Sequence, residues 1–210
     1  MADELIDIYD DNMNLIGSMM KTQAIAEGHW HKVFHCWIVK RNPDNKHKIW
    51  LQQRGKDMIN FPNCMDATVG GHVGAGEEPK ETGIREVQEE IGLSVKEEDL
   101  SKLFTYRFVM QMHGNTKKEF SGTYMHETTK ELSDVIMQPE EVDTMFEINY
   151  HDALKLFTKE IDKAEAIGLV RDENNKYHPK TRTITINDFI PNREEYYQKV
   201  FSTIARYFDN

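Results

Sequence analysis

Apolar residues fall on alternate positions in several short runs of this chain, and turn-forming residues separate the runs. Residues 5–9 and 15–18 flank Asp10-Asp11-Asn12 and predict a small N-terminal hairpin. Residues 33–40 are rich in β-branched and aromatic side chains and predict a buried strand. After the turn Asn42-Pro43-Asp44-Asn45, residues 48–54 predict its partner, with Ile49 and Leu51 on one face. Residues 103–112 put Phe104, Tyr106, Phe108 and Met110 on one face, and residues 119–126 return after the turn His113-Gly114-Asn115. A polar loop is expected over 127–139 and a further strand over 142–148.

Where the period changes to that of a helix, the capping residues agree. Pro79 suits the first turn of one helix and Gly92 its C-terminal cap. Asn149 with Asp152 marks a second helix, expected to bury Leu154, Phe157 and Ile161. Asn192 and Glu195 open a third, with Tyr197, Phe201, Ile204 and Phe208 along one stripe. Residues 168–191 are polar and irregular, with a short hairpin expected around Asn174-Asn175. Strands interleaved with helices predict an α/β fold, a mixed sheet with helices on both faces.

Composition narrows the class. At 210 residues the chain is long enough for one domain with an extension. A net charge of −10 argues against nucleic acid or an anionic membrane as the main partner. It also means that a phosphate-bearing ligand must be received by metal and a few local cations. Two cysteines, Cys36 and Cys64, form no disulfide framework, which fits a reducing cytoplasm. The N-terminus lacks the basic and apolar regions of a signal peptide, and no apolar run is long enough to span a bilayer. A homodimer is the assembly expected from base rates alone.

The chemistry concentrates in residues 70–93. A glycine-rich turn (Gly70, Gly71, Gly74, Gly76) leads into a helix that carries Arg85, Glu86, Glu89 and Glu90. At 100° per residue the three glutamates share one face. Such crowding is tolerated when a divalent cation sits between the carboxylates, and hard oxygen ligands point to Mg²⁺, with Mn²⁺ as a substitute. A solvated acidic helix face is the plain alternative. Arg85 points away from Glu86 and is expected to pair with Glu77, orienting the cluster. Val87, Ile91 and Ile84 are expected in the core.

Gly71, Glu77, Arg85-Glu86-Val87-Gln88-Glu89-Glu90, Ile91 and Gly92-Leu93 together resemble the Nudix box, with every specified position met. The resemblance implies a Nudix-type α/β/α sandwich over 1–160, with residues 161–210 as a C-terminal helical extension packed on the same domain. It implies a pyrophosphatase-like hydrolase that uses Mg²⁺ to cleave the diphosphate linkage of a small molecule, nucleoside-diphosphate-X or a related organic diphosphate, by activated water. It also implies that Glu86, Glu89, Glu90 and the Gly71 carbonyl bind metal, with Glu89 or Glu90 as general base. Outside the box, His72, Glu119 and Arg54 are candidates for substrate or metal contact. For each, a loop, strand or turn residue without function is the competing reading, as it is for Arg107, Lys117 and Lys118.

A second resemblance overlaps the first. Phe61-Pro62-Asn63, Ala67-Thr68-Val69-Gly70-Gly71-His72 and His29-Trp30-His31 are similar to type 1 isopentenyl-diphosphate isomerase. In that family, histidines at the His72 position and near His31 bind metal. Its acid is a cysteine two residues before that histidine, where this chain has Gly70. The resemblance therefore implies the fold and not the isomerisation. A non-catalytic diphosphate-binding module is a third reading, disfavoured by three intact carboxylates. Specificity is expected from residues 22–31, 127–140 and 168–191, the last a loop or lid.

Overall fold

The computed structural model describes residues 3–44, 46–112, 114–138, 142–172 and 176–209. The chain opens with the expected hairpin, β1 (Leu5–Tyr9) and β2 (Leu15–Met20), followed by a six-residue helix α1 (Lys21–Ala26) that the sequence reading did not anticipate. The long central strand β3 (Trp30–Lys40) follows, then β4 (Lys48–Arg54), β5 (Met65–Asp66) and β6 (Val69–His72). The box helix α2 spans Pro79–Ile91. A long hairpin, β7 (Ser101–Met112) and β8 (Asn115–Thr128), leads to β9 (Val142–Asn149) and α3 (Tyr150–Phe157). The chain closes with β10 (Ala164–Arg171), β11 (Tyr177–Ile184) and α4 (Glu194–Asp209).

The described strands form one mixed sheet whose main path runs β11-β10-β9-β4-β3-β1-β2. β3 pairs parallel with β8 and antiparallel with β1, β4 and β6. Alternation along β3 divides the core between two faces. Phe34, Cys36 and Ile38 pack with Val87 and Ile91 of α2. Trp37 and Val39 pack with Ile49 and Leu51 and with α3 and α4. The expected α/β/α layering is present, and no helix among the described residues is long and apolar enough to cross a membrane.

Local chemistry explains the helix ends. Pro79 occupies the first turn of α2, Glu78 and Glu81 form a reciprocal cap, and Gly92 ends the helix at φ 69°. The Asn149 side chain accepts from the backbone N–H groups of His151 and Asp152. That helix is shorter than expected: Lys159 takes φ 63°, so Ile161 lies beyond it. The buried residues of α3 are Tyr150, Ala153, Leu156 and Phe157. The polar 168–191 segment is largely ordered in β10 and β11, although Asn174-Asn175 lie outside the described residues, as do Asn45, His113 and Pro139 of the other expected turns and loop.

Candidate functional site

The box places its carboxylates at the junction of α2 and β6. Glu90 is buried, 2% exposed, and accepts the Gly70 N–H at 3.3 Å. Glu86 lies directly against Gly71: a β-carbon there would come within 2.4 Å of the Glu86 carboxyl carbon. The absence of a side chain at Gly71 is thus what lets the carboxylate reach the strand backbone. Glu89 is the most open of the three, with a side chain 55% exposed.

Arg85 makes the expected pair with Glu77 and, beyond expectation, also reaches Glu86 and Glu89. Its Nη1 lies 2.8 Å from Glu86 and 3.3 Å from Glu89, and its Nη2 only 3.7 Å from Glu77. The helical angle between Arg85 and Glu86 is real, but a long guanidinium stem spans it. Although partial burial opposes its charge, Glu86 and Glu77 hold the guanidinium above its ordinary pKa. Glu77 is fixed in turn, accepting the Thr82 hydroxyl at 2.7 Å and the Gly74 N–H at 3.3 Å. Oxygen donors packed around a glycine backbone suit a hard divalent cation.

A second cluster occupies the opposite face of the sheet. His31 on β3, His72 on β6 and Glu119 on β8 each offer a ligand atom, and the three atoms lie within 4.8 Å of one another. Strand register builds it: His31 pairs with Glu119, and Val33 with His72. The two imidazoles stack with centroids 5.4 Å apart. His31 Nδ1 lies 3.2 Å from the His29 carbonyl, which accepts its proton and leaves the Nε2 lone pair free. Nε2 of His31 and of His72 are buried without hydrogen-bond partners. Burial lowers the pKa of both histidines, so both are neutral at neutral pH. Two orphaned imidazole nitrogens beside a carboxylate fit a divalent cation.

Glu119, read from sequence as an exposed strand residue or an extra ligand, is buried at 4% exposure. Burial works against its charge, but Lys117 and Arg193 outweigh that and hold its carboxyl well below the usual range. Lys117 forms an ion pair with it. Arg193, just before α4, lies 3.3 Å from Glu119 and 3.9 Å from Asp66, with its guanidinium 4.2 Å from the Phe108 ring centre. His35 completes this face, its Nδ1 2.8 Å from the Tyr196 hydroxyl and 3.0 Å from that of Ser121. Arg54 is engaged locally, donating from Nε to the Asn60 carbonyl at 3.2 Å. Arg107 stacks over Trp30, and Lys118 lies on the same ring. Sequence reasoning named Glu119 and His72, and the isomerase resemblance pointed to metal-binding histidines at His72 and near His31, but it did not join the three into one cluster; Arg193 carried no local signal.

The buried histidines give the fold an acid limit. An unfolded histidine takes its proton near pH 6.5, whereas burial pulls folded His35 down to about 4. Between these values the unfolded chain binds more protons, so stability is full above pH 6.5 and falls as the pH drops toward 4. His35 alone accounts for about 3 kcal/mol of that loss. Thermal melts from neutral pH down to about 4 should show the decline starting above the carboxylate range; a flat profile across that window would contradict it.

Comparison with known proteins agrees with the box. The family model described as NUDIX domain matches residues 32–169. An uncharacterized Nudix hydrolase of Clostridium acetobutylicum is 28% identical over 204 residues, covering 97% of this chain and 98% of its own length. The isopentenyl-diphosphate Delta-isomerase 1 of Photorhabdus laumondii is 28% identical over 106 residues, half of this chain and 56% of its own. A crystal structure from Deinococcus radiodurans aligns at TM-score 0.54 with 21% identity, covering 74% of this chain and 90% of that one, and shares the fold. With the full box seated on a helix against Gly71, and the family model spanning well over half its length, the chain belongs to the Nudix hydrolases, enzymes of diphosphate linkages.

Proposed function

We propose that this chain hydrolyses a small organic diphosphate, nucleoside-diphosphate-X or a related compound, in the cytoplasm, with Mg²⁺ or, in its place, Mn²⁺. The observation that carries the reading is the seating of Glu86 and Glu90 against Gly71 and Gly70. Glu86, Glu89, Glu90 and the Gly71 carbonyl would hold the cation. Bound there, it supplies positive charge to phosphate oxygens and makes a water molecule more acidic. Glu89, open to solvent, takes the water's proton and passes it outward. Arg85 keeps Glu86 and Glu89 from swinging apart, and Glu77 steadies the loop through Gly74. Residues 1–160 form the catalytic domain, 161–210 pack on it as one unit, and a homodimer is the working assembly.

An isomerase-like activity is the second reading, favoured by the His31–His72–Glu119 cluster. Gly70 weighs against it. A side chain at Gly70 would meet the His35 ring at 3.3 Å, on the face of that cluster, so the position that needs an acid has the right aspect and no group to protonate an alkene.

A screen of nucleoside and isoprenoid diphosphates with Mg²⁺ and Mn²⁺ tests the choice. Cleavage of the diphosphate into two monophosphate products (one of them free phosphate where the diphosphate is terminal), stopping when a chelator is added, is the expected result. Turnover indifferent to chelator, or isomerised product with the diphosphate intact, would overturn it.

A further inference from the structure

Glu119 has two carboxylate oxygens, and the fold treats them differently. Oε2 lies 3.3 Å from Arg193 Nη2. Oε1 forms the ion pair with Lys117 and lies 3.9 Å from His31 Nε2. Oε1 is therefore the oxygen that faces the histidine, and a cation shared by His31, His72 and Glu119 meets it where Lys117 is paired.

The two neighbouring cations differ in freedom. Arg193 is 6% exposed and confined by Asp66, by the Phe108 ring and by the start of α4, where its carbonyl accepts the Tyr197 N–H at 3.1 Å. Its planar guanidinium fixes the rotation of the carboxylate it touches. Lys117 carries a compact ammonium on a flexible stem near the start of β8, and its side chain is 17% exposed. It can move into water without disturbing the sheet.

We propose that these residues play opposed parts: Arg193 is a positioning residue that presents Glu119 Oε1 to a divalent cation shared with His31 and His72, and Lys117 is the internal ammonium that this cation displaces. The C-terminal segment thereby completes a centre whose ligands all come from the central sheet. The proposal rests on the sheet-face cluster taking a cation, and not on the hydrolytic reading of the box.

Simple electrostatics makes the test sharp. Removing either positive charge beside a cation site should tighten binding if charge alone matters. Positioning predicts opposite signs. Co²⁺ binding by full-length protein is measured by calorimetry and by its visible absorption spectrum. All variants carry Glu86→Gln, Glu89→Gln and Glu90→Gln, so that the box does not compete. Lys117→Met is expected to tighten binding at least about tenfold. Arg193→Gln is expected to weaken it by about tenfold or more and to alter the absorption bands. Arg193→Lys keeps the charge and loses the fork, so it too should bind more weakly; it decides the matter if Arg193→Gln fails to fold. Tightening in Arg193→Gln, unchanged binding in Arg193→Lys, or no effect of Lys117→Met would overturn the proposal. Co²⁺ binding that is absent, or insensitive to His72→Ala, would also overturn it, and would leave diphosphate cleavage by the native box untouched.

Discussion

A Glu90→Gln variant is expected to lose at least about a hundredfold in diphosphate cleavage while keeping its fold. The substitution preserves shape and preserves the oxygen that accepts the Gly70 N–H at 3.3 Å. It removes only the negative charge, at a position that is 2% exposed and one helical turn from Glu86 on α2. Relief of like-charge repulsion should leave the melting temperature equal to the parent's or higher. Loss of turnover without loss of stability identifies the charge as functional. Kinetics and a thermal melt on the same preparation check both halves, and unchanged turnover would sink the assignment.

Gly71→Ala is expected to be nearly as severe, by a different route. The added methyl would lie 2.4 Å from the Glu86 carboxyl carbon and 2.5 Å from one of its oxygens. β6 has little room to retreat, because Gly71 pairs with Phe34 in the middle of the sheet. Glu86 has to move, and it leaves both the strand backbone and the Arg85 guanidinium 2.8 Å away. Overpacking of this kind costs about 1–3 kcal/mol of stability, and displacing one ligand of the cluster should lower turnover by about a hundredfold. Gly76→Ala is the control. It meets no atom within 4 Å, although its φ of +74° adds modest strain. Similar activity in the two variants would show that the contact with Glu86 is not what Gly71 protects.

These expectations differ in how they can be read from sequence. The box was legible because its chemistry is local. Helical periodicity alone groups Glu86, Glu89 and Glu90, and Pro79 and Gly92 mark the ends that the structure confirms. The strands were legible for the same reason, since alternation reports which side chains share a face. For the His31–His72–Glu119 cluster only the isomerase resemblance pointed to the two histidines, and their meeting with Glu119 was not legible, because it depends on register between strands far apart in sequence. A parallel pairing of β3 with β8 cannot be inferred from either strand by itself. Arg193 was hidden for a related reason: in a polar stretch before the last helix it looks like a solvated cation, and only the docking of α4 buries it against Glu119. The six-residue α1 has no side-chain cap and no acidic first turn, so no start signal announced it. Where geometry was argued from angles alone, as for Arg85, side-chain length decided the outcome.

Hydrolysis at the box is tested by cleavage of a diphosphate substrate in water labelled with heavy oxygen, followed by mass analysis of both products. If water attacks phosphorus at the box, one product phosphate gains a single labelled oxygen, and labelled product forms at least about a hundredfold more slowly in Glu90→Gln. Products that carry no label, or a rearranged substrate whose diphosphate is intact, would contradict it.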